Sequence, residues 1–362
     1  MRSVSNAERD ACAVVLDKIR SAVTSGRFPA GRFLPPVREL SSEYGVSPET
    51  IRRGLKILER EKLVAAKARQ GFRVSSGAGA GADAARHCPV AYVTSHDAYL
   101  TGAQPANLAI LDAFQRTTAQ AGSSVLGVHS AGAGGAVILE QLRAGRAWGA
   151  ALDTMDRALL EALRGSGLPL VLINSCWEDA EVDVVIQDNY RGGFLAARHL
   201  LDSGCRRIAW FGALGRFYHS RERFAGAVAA LAAAGMRFDE ALCADVEGPE
   251  ASAKAAELLD RSDRPDGVLA FSAGAMQTLA RAAQDRGLGL GAGLRAVGWT
   301  VEEGWAGSYR PLFGAGPVPP AVVWKASSMV ERAMTLLAER RAGRGGEPVR
   351  VCVPARLSLT ER

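Results

Sequence analysis

The chain has 362 residues, of which 48% are apolar and 23% charged, close to the averages of globular proteins. This composition excludes a disordered or fibrous chain, and the length predicts two or three domains. The first twenty residues do not have the pattern of a secretory signal, and the apolar runs are shorter than the ~20 residues needed to span a bilayer, so we expect a cytoplasmic protein.

The excess positive charge lies in the first fifth of the chain. Residues 1–75 hold 15 Lys and Arg against 8 Asp and Glu, whereas residues 76–362 hold 29 against 30. A small basic module followed by a near-neutral remainder is typical of a protein that binds a polyanion such as nucleic acid. Charge alone does not separate this interpretation from a solvated basic surface.

The basic region carries the pattern of a winged helix-turn-helix. A helix is predicted over 8–25 and a short one over 37–44, followed by a glycine turn at Gly45 and a second helix that starts at Ser47. In that second helix, apolar residues recur every three or four positions, and four polar side chains are left pointing outward. These four are Thr50, Arg52, Arg53 and Lys56. Two short extended runs meet at Gln70 and Gly71, and they predict the wing.

The motifs of residues 10–75 resemble the winged helix-turn-helix of GntR-type bacterial regulators. The matching stretches are Gly26–Gly31, Leu34–Leu40, Gly45–Arg52 and the glycine-tipped wing. The resemblance implies binding to double-stranded operator DNA. The implied operator contacts are Arg38, Thr50, Arg52, Gln70 and Gly71. Pro48 stands where many relatives have arginine, so Glu49 or Arg53 is expected to alter the preferred sequence, and Lys56 is a candidate phosphate contact.

A Gly- and Ala-rich stretch over 76–87 predicts a flexible linker between a DNA-binding domain (1–75) and a larger domain (88–362). In the larger region, short β-branched runs alternate with helical runs, which predicts an α/β fold with parallel sheets. The number of predicted strands favours two lobes. We predict one lobe over 88–187 plus 316–345 and the other over 188–315 plus 346–362, with a last long helix over 320–341.

The larger region resembles the effector-binding core of the LacI/GalR family, which is shaped like periplasmic sugar-binding proteins. The matching stretches are Asp188–Gly212, Ser220–Gly226 and Arg295–Trp299. A winged helix on such a core is the chimeric plan of arabinose-responsive repressors. The resemblance implies a dimeric repressor whose operator affinity responds to a small polar, possibly sugar-like effector. It also places the family's ligand-contacting arginine at Arg221.

Ligands of parallel sheets bind at the carboxyl ends of the strands, so the residues there are the candidate effector site. The candidates are Ser95, His96, Tyr99, Asp153, Asn174, Trp177, Gln187, Asp188, Tyr218, Arg221, Glu247, Ser272, Trp299 and Thr300. Many sugar-binding members of the family carry acidic or amide side chains where this sequence has Ser272, Ala273 and Thr300. This difference predicts either an unusual effector or a weakened pocket.

Two other functions remain open at this stage. A constitutive DNA-binding protein, with a core that only dimerises, fits the same motifs. An enzyme fused to a winged helix is disfavoured, because the Gly-rich stretch Ser130–Gly135 lacks the full spacing of a dinucleotide loop. The scattered cysteines and histidines show no metal-ligand spacing, so we predict neither a metal nor a cofactor.

Overall fold

The computed structural model describes most of the chain. The described residues are 15, 18–19, 22–23, 28, 31–60, 63–67, 70–75, 88–95, 105–130, 132–215, 217–245, 248–291, 293–344 and 346–358. The chain divides into two compact units, Met1–Cys88 and Pro89–Arg362, which we call the head and the core. The predicted linker over 76–87 lies outside the described residues, as does most of the helix predicted over 8–25.

The head contains the predicted pair of helices, α1 (Val37–Tyr44) and α2 (Pro48–Arg60). Helix α1 ends because Gly45 adopts a left-handed conformation with φ +67°. Ser47 then caps α2, since its Oγ accepts the backbone N–H of Thr50 at 3.1 Å. The buried side chains of Ile51, Leu55 and Leu58 hold α2 against the rest of the head.

The wing is an antiparallel hairpin of β1 (Val64–Lys67) and β2 (Gly71–Val74). The turn closes with a hydrogen bond from the Gln70 N–H to the Lys67 carbonyl. Gly71 takes a φ of +100°, which residues with a side chain rarely adopt. Arg73 Nε donates to the Gly31 carbonyl at 2.6 Å, so the hairpin is attached to the segment that precedes α1.

The core contains two six-stranded sheets. The strands are β3 (Val90–Thr94), β4 (Val125–His129), β5 (Ala150–Asp153), β6 (Leu170–Ile173), β7 (Asp183–Gln187), β8 (Ile208–Phe211), β9 (Cys243–Ala244), β10 (Gly267–Ala270), β11 (Arg295–Val301), β12 (Ala321–Trp324), β13 (Arg350–Val353) and β14 (Arg356–Ser358). The first sheet has the order β13-β7-β6-β5-β3-β4 and is parallel throughout. The second has the order β14-β12-β11-β10-β8-β9, in which only β14 is antiparallel.

Helices connect these strands, as parallel pairing requires. They are α3 (Pro105–Gln120), α4 (Gly135–Ala144), α5 (Arg157–Arg164), α6 (Asn189–Asp202), α7 (Tyr218–Ala233), α8 (Ala251–Asp260), α9 (Ala273–Gln284) and α10 (Ala326–Arg341). The regular alternation of strand and helix confirms the predicted α/β class with parallel sheets. Within the described residues, no helix is both long and apolar enough to cross a membrane.

The C-terminal part of the core differs from the prediction. The helix predicted over 320–341 begins only at Ala326, because the buried run Ala321–Trp324 forms a strand of the second sheet. Parallel pairing with β11 holds this run extended, from Gly298 opposite Ala321 to Val301 opposite Trp324. Strand β12 belongs to the second sheet and β13 to the first, so the predicted lobe segments 316–345 and 346–362 each place one strand in the wrong lobe. Helix α5 and strand β14 are additional elements that the sequence patterns do not predict.

Candidate functional site

The exposed face of α2 carries the cations predicted to contact DNA. Arg52, Arg53 and Lys56 are exposed on α2, and Arg38 is exposed on α1. The opposite face of α2 is buried, so the amphipathic pattern fixes which side chains reach solvent. An exposed basic helix face can contact phosphates and base edges in a DNA groove.

One carboxylate neutralises part of this face. Glu49 lies 3.5 Å from Arg52 Nη1 and 3.8 Å from Arg53 Nε, and all three side chains are more than half exposed. Ion pairs of this kind contribute little in water and are screened by salt. Both guanidinium groups can therefore exchange Glu49 for a phosphate at small cost.

The remaining head candidates lie at the start of α2 and at the wing tip. Pro48 and Glu49 are exposed in the first turn, Thr50 is half-buried, and Gln70 and Gly71 are exposed on the wing. Ser47 Oγ and Thr50 Oγ1 are 2.9 Å apart, which fixes the Thr50 side chain at the helix start. The structure describes all nine head candidates, and their roles on DNA remain predictions.

A cavity of about 420 Å³ lies between the two sheets of the core, at the carboxyl ends of their strands. Five predicted candidates line it: Asn174, Gln187, Ser272, Trp299 and Thr300. The volume is in the range of small-molecule sites, and polar and aromatic side chains face each other across it. The carboxyl ends of the strands thus bring residues of both lobes to one place.

Among the described residues that line this cavity, the one with a permanent charge is Arg223, which is not among the residues predicted from the sequence. Arg223 is 5% exposed on α7, and its guanidinium lies 3.7 Å from the ring centroid of Trp299. Its Nε donates to Asn189 Oδ1 at 2.9 Å, and its Nη1 donates to the Phe271 carbonyl at 2.6 Å. Burial lowers the pKa of Arg223, since desolvation penalises its charged form.

Close packing of two helices places this arginine. A Cβ added at Gly193 of α6 would overlap the carbonyl of Arg223, and a Cβ added at Gly226 of α7 would overlap the carbonyl of Tyr190. The two backbones therefore touch, which fixes the position of α7 against α6. Asn189 is itself held, since its Nδ2 donates to the Gln187 carbonyl at 3.0 Å.

Arg221 does not line the cavity, so the prediction that it contacts the effector is not supported. It is exposed, donates to Glu178 Oε1 at 3.0 Å and reaches the Gly215 carbonyl at 3.2 Å. The reason is helical geometry. The buried stripe of α7 includes Ser220, Arg223 and Gly226, and a residue two positions before Arg223 lies on a different face. The three-residue spacing of this stripe is the sequence signal that would have selected Arg223.

Asp153 accepts hydrogen bonds from side chains that line the cavity. It is fully buried and accepts hydrogen bonds from the Tyr92 hydroxyl at 2.9 Å, from Asn107 Nδ2 at 2.9 Å and from Asn174 Nδ2 at 3.3 Å. Gln187 Nε2 in turn donates to Asn174 Oδ1 at 2.7 Å. The carboxylate therefore orients the amides that face the cavity, instead of facing it directly.

Four further candidates have structural partners away from the cavity. Ser95 Oγ lies 3.2 Å from Thr154 Oγ1, and Trp177 packs on the apolar cluster of the first lobe. Asp188 caps α6, since its Oδ1 accepts the Arg191 N–H at 3.1 Å, and the Tyr218 hydroxyl accepts from Arg350 Nη1. Strand ends also carry side chains that cap the next helix. A position at a strand end therefore selects more residues than those that line the cavity. His96, Tyr99 and Glu247 lie outside the described residues.

The second-lobe wall also contains aromatic rings that the sequence patterns do not predict. Phe217, His219 and Phe271 form a stack with centroid separations of 5.2 and 6.2 Å, and all three line the cavity. They come from two separate segments, so their contact depends on the folded arrangement. Such rings pack well against the apolar faces of a ligand.

Three buried polar atoms of cavity-lining residues have no hydrogen-bond partner among the described residues. They are Gln187 Oε1, Trp299 Nε1 and Thr300 Oγ1. An unsatisfied buried polar group costs about 1–3 kcal/mol, and a ligand that supplies the missing partners removes that cost.

Comparison with known families agrees with both units. Residues 13–74 match the family described as bacterial regulatory proteins, gntR family, and residues 197–362 match the periplasmic binding protein-like domain. The chain joins a gntR-type DNA-binding domain to a periplasmic-binding-protein-like domain. The gntR-type domain is the head, and the second match falls within the core.

Two curated relatives of this two-domain chain are transcriptional regulators. The HTH-type transcriptional regulator DegA of Bacillus subtilis is 30% identical over 39% of this chain and 42% of its own length. The HTH-type transcriptional regulator CelR of Thermobifida fusca is 32% identical over 51% of this chain and 52% of its own length. The chain thus matches about half the length of these relatives.

Solved structures share the fold of the periplasmic-binding-protein-like domain. A CelR–cellobiose complex superposes with a TM-score of 0.65 at 23% identity, covering 90% of this chain and 99% of that one. The regulator CcpA of Lactococcus lactis superposes with a TM-score of 0.63 at 19% identity, covering 75% of this chain and 98% of that one. These similarities confirm the predicted two-lobed architecture.

Proposed function

We propose that the chain is a ligand-responsive transcriptional repressor. The head binds double-stranded operator DNA through α2 and the wing, and the core binds a small polar effector in its cavity. The observation that carries the proposal is the combination of an exposed basic helix in a gntR-type domain with a polar cavity that contains Arg223. The relatives DegA and CelR, both transcriptional regulators, support this proposal.

The exposed positions of the predicted head residues support an assignment of roles. Arg38, Arg52 and Arg53 contact DNA, with Lys56 on a phosphate, because their side chains are exposed on the two helices of the motif. The wing tip at Gln70 and Gly71 reaches an adjacent groove. We further propose a cytoplasmic homodimer, since two heads read the two halves of a palindromic operator.

The effector site is formed by both lobes of the core. Arg223, Asn174 and Gln187 supply hydrogen bonds, and the Trp299 ring together with the Phe217–His219–Phe271 stack supplies apolar contact. We propose binding rather than catalysis at this site. The structurally similar regulator CelR forms a complex with cellobiose, which favours a carbohydrate-like effector for this cavity. An effector that contacts both lobes favours a closed core, and a closed core alters operator affinity by linkage.

A DNA-binding assay tests the proposal. Fluorescence anisotropy of the purified chain with the DNA upstream of its own gene, against random competitor, should show specific binding. Addition of an effector that raises the melting temperature should change that affinity, because a ligand that binds only the folded state stabilises it. Specific binding that no stabilising ligand alters would instead identify a constitutive DNA-binding protein. Absence of specific binding would contradict the whole proposal.

A further inference from the structure

The described residues that line the cavity carry an unbalanced charge. Among the described residues that line it, Arg223 is the one with a permanent charge, and no Asp, Glu or Lys accompanies it. Both hydrogen-bond acceptors of Arg223 are neutral, namely the Asn189 side-chain oxygen and the Phe271 carbonyl. Its Nη2 group makes no hydrogen bond to the described residues, so two N–H donors remain available.

A buried cation without a counter-ion is unfavourable. Arg223 is 5% exposed, and the guanidinium rests on the Trp299 ring, whose attraction for a cation is weaker than that of a carboxylate. Burial depresses the pKa of Arg223, and no acidic side chain among the described lining residues offsets this effect. The described part of the site therefore holds no anion that would compensate the desolvated charge.

The buried carboxylate of the first lobe accepts hydrogen bonds from three neutral side chains. Asp153 is fully buried and accepts from Tyr92, Asn107 and Asn174. Gln187 Nε2 donates to Asn174, and Gln187 Oε1 has no hydrogen-bond partner among the described residues. The first-lobe wall thus has a hydrogen-bond acceptor that a ligand hydroxyl can satisfy.

The second-lobe wall has the opposite character. Two of its hydrogen-bond donors have no partner among the described residues, namely Arg223 Nη2 and the indole Nε1 of Trp299, which can only donate. The two walls therefore complement a ligand with two different ends. The hydroxyl groups of the ligand face the first lobe, and its negatively charged hydrogen-bond acceptor faces the second.

We propose that the effector is an oxyanion-bearing polyol or sugar, whose carboxylate or phosphate accepts from Arg223 while its hydroxyls donate to Gln187 and its neighbours. This inference rests on the proposed function of the cavity and narrows its ligand to one chemical class. A neutral sugar satisfies the Gln187 acceptor but leaves the Arg223 charge uncompensated. Hydrogen bonds to charged groups are the stronger ones, and the absence of carboxylates among the described lining residues removes the repulsion that would exclude an anion.

Matched ligand pairs test the inference on the full chain. Isothermal titration would compare D-galacturonate with D-galactose, D-gluconate with D-glucitol, and D-glucose 6-phosphate with D-glucose. At least one anionic member should bind more tightly than its neutral partner by about tenfold or more, the effect of a charge-assisted hydrogen bond in a desolvated site. The carboxylate and phosphate arms decide which oxyanion the site accepts.

Two arginines of the same helix provide a variant and its control. Arg223→Gln removes the charge from the cavity and should abolish the preference for the anion, so that the two members of a pair bind within about threefold of each other. Arg221→Gln removes an exposed charge two residues away and should retain the preference. If Arg223→Gln lowers the melting temperature of the unliganded chain, Arg223→Lys keeps a cation and should retain part of the preference.

The outcomes separate this inference from the proposed function. Neutral ligands that bind as tightly as their anionic partners and alter operator affinity would overturn the anionic class and leave the regulator intact. An anion preference that persists in Arg223→Gln would also overturn the inference. No binding by any member of the three pairs would contradict both the anionic class and the effector role of the cavity.

Discussion

The head and the core use arginine in opposite ways. Arg52 and Arg53 lie on the surface of α2, more than half exposed, and share Glu49 as a weakly held partner. Arg223 is almost fully buried in the cavity, and its hydrogen-bond partners among the described residues are neutral. Water and salt screen the charges of Arg52 and Arg53, whereas the charge of Arg223 is desolvated. We therefore expect DNA binding by the head to depend strongly on salt concentration, and ligand binding in the cavity to depend on it much less.

The largest effect of burial on a charge is expected at a buried ion pair of the core. Asp183 is 1% exposed, and both its oxygens lie 2.6 Å from the guanidinium nitrogens of Arg340. Arg340→Ala leaves that carboxylate without its cation, so we expect a loss of about 3 kcal/mol of unfolding free energy. Urea unfolding followed by tryptophan fluorescence measures it, because all six tryptophans lie in the core.

The matched control for this experiment is Arg332→Ala. Arg332 is exposed on the same helix, α10, and its loss should change the free energy of unfolding by less than about 0.5 kcal/mol. Equal effects of the two substitutions would show that burial does not decide the strength of these charges.

The recognition helix should show the next largest effect. Arg52→Ala should reduce specific operator affinity by about 1–3 kcal/mol, or roughly 5- to 150-fold, if Arg52 contacts a base edge. Competition anisotropy measures the ratio of specific to non-specific binding. Arg116→Ala, an exposed arginine of α3 in the core, is the control and should leave that ratio unchanged. Full specificity in Arg52→Ala would remove α2 from the recognition surface.

Salt dependence distinguishes phosphate contacts from base contacts. Lys56→Ala should weaken specific and non-specific binding alike and lower the slope of log K against log salt by about 1, since one counter-ion fewer is released. The measurement is a titration of DNA at several salt concentrations. An unchanged slope would mean that Lys56 does not touch the backbone.

The smallest effect is expected at Glu49. Glu49→Gln removes the carboxylate that competes with DNA for Arg52 and Arg53, so affinity should rise by a factor of about 2–5 at low salt and converge with wild type at high salt. The same anisotropy titration reports it. A fall in affinity at low salt would indicate that Glu49 itself contacts a base.

Local signals explain how much of the fold the sequence predicts. The ends of α1 and α2 depend on Gly45 and Ser47, which act within a few residues, so the sequence predicts both helices correctly. Strand β12 escapes prediction because its apolar run continues into α10 and has the pattern of one long helix. Its strand character comes from pairing with β11, which is not a local property.

The same distinction between local signals and non-local contacts applies to the residues of the cavity. Asn174, Gln187, Ser272 and Thr300 are predictable because the carboxyl ends of parallel strands meet at one edge. Arg223 lies on a helix, and alignment to a family pattern selects its neighbour two residues earlier. The Phe217–His219–Phe271 stack joins distant segments, and no spacing along the chain indicates such a contact.

Linkage between the two units is the most direct test of the proposed regulator. The measurement is operator affinity of the full chain by anisotropy, with and without a saturating anionic ligand from the titrations, in wild type and in Arg223→Gln. We predict that the ligand lowers wild-type affinity about fivefold or more, as coupling free energies of 1–3 kcal/mol imply, and leaves the Arg223→Gln affinity unchanged. A ligand that occupies the cavity without altering wild-type operator affinity would contradict the proposed coupling of cavity and head.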